Sequence, residues 1–372
     1  MSDGLTFNYR VTAIATEPVA HALGSRMLVK TKIMKPFLKV LSAFALAATI
    51  SGCNPSTPES NSVGNGATSQ STSSEAKKIR VGYLANIVMP QPLVGIEEGE
   101  YAKKVSGVEF SGQDYPAGPA VLEALRSGVI DIAYTGPYPP MNAFLKNKDI
   151  VLLAGAAKGG TALMVLKSSS IKTVADLKGK VVGVNQLGST VDAVVQYNLL
   201  QAGLKPGRDV RLIEVKPAEQ ASTLKGGQVA AVAAPAPWPS QIEKSGDGRA
   251  LLDSKQILNN GDYLAGVAFT TKKFADANPQ LIAKFVAAHK QITDELNKDR
   301  VSGDARVLAA WSKVTKKKLD PAVAKAAFAT ITFTSEAKLE NFERDMDVSA
   351  QVGFLKKKGS LDGFLWSTPA TP

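Results

Sequence analysis

The chain has one cysteine in 372 residues, Cys53, and two histidines, His21 and His289. One thiol excludes a disulfide within the chain. Two histidines so far apart, with that lone cysteine, give none of the His/Cys spacings of a metal site. No P-loop and no G-x-G-x-x-G stands between a strand and a helix, and no serine sits in a nucleophile elbow. His289 lies inside a helical run and reads as a packing or surface residue rather than a base. No helix-turn-helix or basic-aromatic stripe points to nucleic acid, and no apolar run reaches the roughly 20 residues of a membrane-spanning helix. These gaps argue against an enzyme, a metal protein and a nucleic-acid binder. No catalytic residue, metal or cofactor is expected.

One shorter apolar run is present. Phe37–Ile50 is apolar apart from Lys39, Ser42 and Thr49, follows Lys35, and closes on Ile50-Ser51-Gly52-Cys53. A basic start, a short apolar core and small residues before a cysteine form the layout of a lipoprotein signal peptide. Residues 34–52 are therefore expected to be the signal, with Met34 as the start. Residues 1–33 are expected to be a mis-assigned or unstructured extension. Cys53 is expected to carry a lipid that anchors an exported protein to the cell membrane, facing the periplasm or the exterior. Residues 53–78, rich in Ser, Thr, Asn, Gly and Pro, read as a flexible tether.

The net charge is +11, and setting aside residues 1–52 leaves about +7. That balance suits an anionic ligand or membrane; export argues against nucleic acid. With 44% hydrophobic residues the chain can build its own core; about 320 residues suit one large two-lobed protein or two domains, and a monomer is expected.

From Ile79 strands and helices alternate. Strands are expected at 79–84, 108–115, 130–135 and 150–154, with helices at 93–104 and 119–127 between them. The rhythm restarts with strands at 181–185, 210–215 and 229–233 and helices at 190–202 and 217–225. Stretches 161–166 and 265–271 are placed to carry the chain across and back, and helices at 279–296, 305–314, 321–328 and 335–354 are expected to pack on the first lobe. The expected architecture is α/β: two parallel or mixed sheets flanked by helices. Lobe one comprises 79–164 and 268–372, and lobe two 165–267.

Ligands of open α/β sheets bind at the carboxyl ends of strands, beside helix starts. Five loops qualify: 85–90 with Asn86, 116–119 with Gly118 and Pro119, 135–138 with Thr135, Gly136 and Tyr138, 186–190 with Gln186, Ser189 and Thr190, and 234–238 with Trp238. None contains an acid, a histidine, a lysine or an arginine. They offer hydroxyls, amides, rings and helix-start N–H groups, which suit an anion held by neutral donors and disfavour a cation. A cation from elsewhere, such as Lys158 or Lys216, is the remaining source of positive charge.

At these loops the chain resembles a known family. Tyr115-Pro116-Ala117-Gly118-Pro119, then Leu122-Glu123-Ala124-Leu125, then Gly128 through Gly136 (GVIDIAYTG) are similar to the core signature of substrate-binding proteins of ABC importers for aliphatic sulfonates. Taurine, nitrate and bicarbonate binders and thiamine-pyrimidine binders are relatives. The resemblance covers about 79–290. It implies a two-lobed periplasmic-binding-protein-like fold with a ligand cleft at a two-strand hinge, in a non-catalytic binding protein that captures a small organic anion by lobe closure and delivers it to permease and ATPase subunits. It also implies that Gly118, Pro119, Thr135, Gly136, Ser189 and Thr190 face the anionic head. Relatives often carry an acid before Pro-Trp; here Ala234-Pro235-Ala236-Pro237-Trp238 lacks it, which leaves the ligand open among sulfonate, nitrate, bicarbonate, phosphonate and pyrimidine. A sensory lipoprotein is the other role the same fold allows.

Overall fold

The computed structural model describes residues 76–367. The expected extension, signal peptide, Cys53 and most of the tether lie outside the described residues. Lys78, assigned to the tether, already belongs to the first strand.

The first sheet is assembled from β1 (Lys78–Leu84), β2 (Glu109–Tyr115), β3 (Ile132–Thr135) and β4 (Ile150–Gly159). Between them run α1 (Pro90–Glu97), α2 (Glu100–Lys104), α3 (Gly118–Arg126) and α4 (Tyr138–Asn147). The chain then enters a second sheet. Its members are β5 (Thr161–Leu166), β6 (Val181–Val184), β7 (Arg211–Glu214), β8 (Ala231–Pro235) and β9 (Gly248–Leu252), with α5 (Thr190–Gln201), α6 (Gln220–Lys225) and α7 (Trp238–Lys244) among them. It returns through β10 (Leu264–Thr271) and α8 (Lys272–Ala277) to α9 (Pro279–Lys298), α10 (Arg300–Thr315), α11 (Pro321–Phe328), β11 (Ile331–Phe333) and α12 (Leu339–Gln351).

The six-stranded sheet has the order β11-β4-β10-β3-β1-β2, and the five-stranded sheet β7-β6-β8-β5-β9. Both are mixed: β1 runs parallel to β2 and β3, β6 parallel to β7 and β8, while β10 and β5 pair antiparallel with their neighbours. Helices cover the sheets, so central strands are buried on both faces and read as unbroken apolar runs. In β3 every residue is buried.

The chain passes from the first sheet to the second at Gly159-Gly160, where φ is +76° and +84°. Two successive left-handed residues turn the strand, and glycine reaches that region at least cost. β5 thus lies wholly in the second sheet and β10 wholly in the first.

Several local expectations are corrected. The single helix expected over 93–104 is two helices, because Gly99 sits at φ +71° and breaks it. Helix α4 begins Tyr138-Pro139-Pro140; prolines in a first helical turn lack only N–H groups that no intrahelical carbonyl would accept. β9 and β11 are short edge strands. The C-terminal helices do not stay on the first lobe. α9 and α10 pack on α1, but α11 packs on α7 and α12 on both α4 and α5. β11 explains this: it pairs with β4 at Gly159, the crossing point, so the helices on either side of it reach the second lobe.

His289 is fully buried, and both ring nitrogens are engaged. Nε2 lies 2.7 Å from the Gly155 carbonyl and Nδ1 2.6 Å from the Tyr134 hydroxyl. A carbonyl only accepts, so Nε2 carries the proton, Nδ1 accepts from Tyr134, and Tyr134 accepts in turn from Tyr101 at 2.6 Å. Burial lowers the His289 pKa to about 4, against the opposing pull of the Gly155 carbonyl. The imidazole is a neutral crosslink between α9, β3 and β4.

Candidate functional site

A cavity of about 30 Å³ lies where the two sheets meet. From the first sheet come Asn86, Gly118, Gly136 and Pro139; from the second come Thr161, Asn185, Ser189 and Thr190. No lining residue is charged.

Two helix starts face one another here. α3 begins at Gly118, and α5 at Thr190 behind Ser189. The N–H groups of Gly118, Thr190 and Val191 line or flank the cavity and donate to no carbonyl or side chain among the described residues. They are the donors that the opening turns of helices leave without an intrahelical partner. With the two helix dipoles they form a neutral, electropositive cradle.

The walls are closed on each other. The backbone N–H of Tyr138 donates to Thr190 Oγ1 at 3.3 Å, bridging the sheets. Opposite Thr190, Gly136 has no room for a side chain: a Cβ there would stand 2.2 Å from Thr190 Oγ1 and 2.6 Å from its Cβ.

Ser189 is wired into the second lobe. Its hydroxyl donates to Asn185 Oδ1 at 2.7 Å and accepts from Asp192 N–H at 3.2 Å, the bond that caps α5. Asp192 had no place in the loop reading, since it stands two residues past Thr190. Its carboxylate accepts from Gly188 N–H at 2.7 Å and from Gln196 at 2.9 Å. Burial raises its pKa, and the bonds from Gln196 and Gly188 pull the other way. One donor of this helix start is thereby taken. Asn185 was missed for a simpler reason: it closes the strand-like run, one residue before the loop.

The other expected residues stand outside the cavity lining. Thr135 is buried, and its hydroxyl donates to the Gly136 carbonyl at 2.7 Å, which fixes the loop. Gln186 is half-buried with Oε1 unpartnered. Pro119 lines an outer groove. The Tyr138 ring turns away from the cavity toward Asp345 on α12. Trp238 packs edge-on against Trp311, ring centroids 6.0 Å apart, with the Lys317 ammonium 5.1 Å from its own ring centre. Its partner lies on α10, far along the chain. Neither candidate cation lines the cavity: Lys158 pairs with Asp262 at 2.7 Å, and Lys216 is exposed.

Solved structures share this fold. The alkanesulfonate-binding protein SsuA from Xanthomonas axonopodis pv. citri, bound to MOPS, superposes with a TM-score of 0.66 at 24% identity, over 78% of this chain and 99% of that one. The periplasmic aliphatic sulphonate binding protein SsuA from Escherichia coli gives 0.64 at 23% identity, over 80% of this chain and 94% of that one. At such identities the likeness establishes the fold, a two-lobed periplasmic-binding-protein fold. Residues 72–312 match the NMT1-like family, and the chain belongs to that family. Among curated relatives, a protein of Escherichia coli (strain K12) described as aliphatic sulfonates-binding is 34% identical over 208 residues, 54% of this chain and 63% of that protein. The taurine-binding periplasmic protein of the same strain is 27% identical over 186 residues, 49% of this chain and 56% of its own. The chain thus spans about six-tenths of the length of these relatives.

Proposed function

We propose that this protein is the substrate-binding component of an ABC importer, and that it captures a small organic oxyanion, an aliphatic sulfonate, between its two lobes. The observation that carries the reading is the pair of helix starts facing one another across the sheet junction, with free N–H groups of Gly118, Thr190 and Val191 and no charged lining. Neutral donors suit a monoanion such as a sulfonate; a dianionic head calls for a cation, and none lines the cavity. The names of the curated relatives support the ligand class. Binding requires no catalytic group, and His289, with both nitrogens engaged, is not placed to act as a base.

The cavity in this closed form is small, about 30 Å³. The lobes part to admit the ligand and close on it, which makes the Thr190 hydroxyl part of the closure. Thr190→Ala is expected to weaken ethanesulfonate binding by about 0.5–1.5 kcal/mol, the usual net worth of a neutral hydrogen bond, here the one from Tyr138 N–H that holds the lobes together. Isothermal titration checks this, and unchanged affinity would remove Thr190 from the site.

The lipid anchor belongs to the same proposal. Cys53→Ser is expected to leave ligand affinity intact and to move the protein from the membrane fraction to the soluble exported fraction. A mutant still recovered with membranes would contradict anchoring through Cys53.

A further inference from the structure

The cavity adjoins a larger groove. Pro139 lines both, and Gly118 and Ser189 on the cavity side have Pro119 and Gly188 as their chain neighbours on the groove side. Gly188 and Pro119, one from each lobe, form the threshold between the two: a Cβ on Gly188 would be in van der Waals contact with Pro119 Cγ, at 3.9 Å, so the gap is shut here and opens as the lobes part. Beyond it the groove opens to about 730 Å³.

Its chemistry is two-part. Leu122, Leu145, Leu187, Phe354 and Leu355 make an apolar floor. Leu187 is 46% exposed, a large apolar side chain left to solvent beside the threshold. The rim carries Arg126, Lys146 and the run Lys356-Lys357-Lys358, and no lining residue is acidic. Arg126 is paired with Asp149 and Lys358 with Asp347. Lys146, Lys356 and Lys357 are exposed and have no ion pair among the described residues. An apolar groove beside a monoanion site, rimmed by unpaired ammonium groups, matches a ligand with an apolar middle and a negative far end.

We infer that the groove is a second subsite for the ligand, and that the protein prefers an alkanesulfonate carrying a second anionic group at the end of its chain. The sulfonate sits at the helix starts, the chain leaves between Pro119 and Gly188 once the lobes have parted to admit it, and the terminal anion meets Lys146, Lys356 and Lys357. The inference rests on the sulfonate reading above, but it fails separately. The lysines also form a field over the mouth of the cleft, so the preference weakens as salt rises and shortens the range of charge interactions.

The test uses the full chain and two kinds of probe: unsubstituted alkanesulfonates, and ω-carboxyalkanesulfonates of matching chain length. Titration calorimetry is run on wild type and on the Lys356→Gln/Lys357→Gln double variant, whose exposed sites leave folding nearly unaffected. The wild type is expected to bind the best-fitting carboxyalkanesulfonate roughly five- to tenfold more tightly than its unsubstituted counterpart, the gain of one or two exposed ion pairs. The double variant is expected to lose most of that margin and keep its ethanesulfonate affinity. Equal affinity for the two series in the wild type, at every chain length, overturns the inference while leaving the sulfonate reading intact. So does a margin that survives in the double variant. Loss of binding to anionic phosphatidylglycerol vesicles, with ligand affinities unchanged, would assign the lysines to the membrane surface and overturn it as well. Failure of every sulfonate to bind the wild type overturns the sulfonate reading, and this inference with it.

Discussion

Gly136→Ala is expected to lower ligand affinity by about 5- to 150-fold, the equivalent of the 1–3 kcal/mol that overpacking a close contact costs. The added methyl would stand 2.2 Å from Thr190 Oγ1, 2.6 Å from its Cβ and 3.1 Å from its Cγ2. Thr190 belongs to the opposite lobe, so the clash is not with the residue's own sheet but with the closed arrangement. The backbone at Gly136 is not in the left-handed region, so alanine adds no conformational strain there. The melting temperature without ligand is therefore expected to change little, and the ligand-induced shift to shrink. Adding Thr190→Gly removes all three contacts and is expected to recover part of the lost affinity. Calorimetric titration of the single and double variants checks this; a Gly136→Ala protein with wild-type affinity would show that binding does not require the lobes to meet here.

The second large effect concerns stability. Asp345 on α12 is 1% exposed, and neither carboxyl oxygen makes a hydrogen bond of normal geometry. Tyr138 of α4 is its neighbour, with an equally unpartnered hydroxyl, and Arg344 stands beside it with Nε and one terminal nitrogen unpartnered. Burial raises the Asp345 pKa to about 7, and Arg344 and Tyr138 only partly offset it. The folded protein holds this proton up to about pH 7, whereas the unfolded chain releases it near pH 4. Wild type therefore loses stability from this group as pH climbs from 4 to 7. His289 has the opposite sign. Its folded pKa of about 4 lies below the unfolded value near 6.5, so stability is lost as pH falls through that window. The two slopes oppose each other between about pH 4 and 6.5 and flatten the wild-type profile.

Asp345→Asn removes one slope. The variant is expected to be about 1–3 kcal/mol more stable than wild type at pH 8, because an amide replaces a buried carboxylate, with the gain fading toward pH 4. Thermal melts across that range measure it. An equal difference at pH 4.5 and pH 8 would show that the effect is packing rather than ionisation.

The chain's organisation was legible where strands are buried on both faces. Ile79, Val81, Ile132, Val182 and Val184 are all fully buried, and such residues form runs that stand out from their surroundings. The approach of two helix starts to one point was legible too, because Gly118-Pro119 and Ser189-Thr190 carry it in adjacent residues. What was not legible depends on partners distant in sequence. The Trp238 ring looked free to line a cleft until Trp311 was brought against it. Tyr138 seemed a cleft residue, but its ring is claimed by α12, two hundred residues later. Helix α4 was hidden by its two leading prolines. Asp192 escaped because a third helical residue reads as a solvated acid, while here it bends back onto Gly188 N–H.

The central claim is capture of an organic sulfonate between the lobes, and a thermal-shift titration of the protein against small anions tests it most directly. The panel is taurine, alkane- and arylsulfonates, nitrate, bicarbonate, sulfate, phosphonates and a thiamine-type pyrimidine. A ligand present at 100 times its dissociation constant stabilises the folded state by about 2.7 kcal/mol. Alkanesulfonates are expected to raise the melting temperature by several degrees, and sulfate and the pyrimidine to leave it unchanged. A shift with nitrate, bicarbonate, a phosphonate or the pyrimidine, and none with any sulfonate, would contradict the claim.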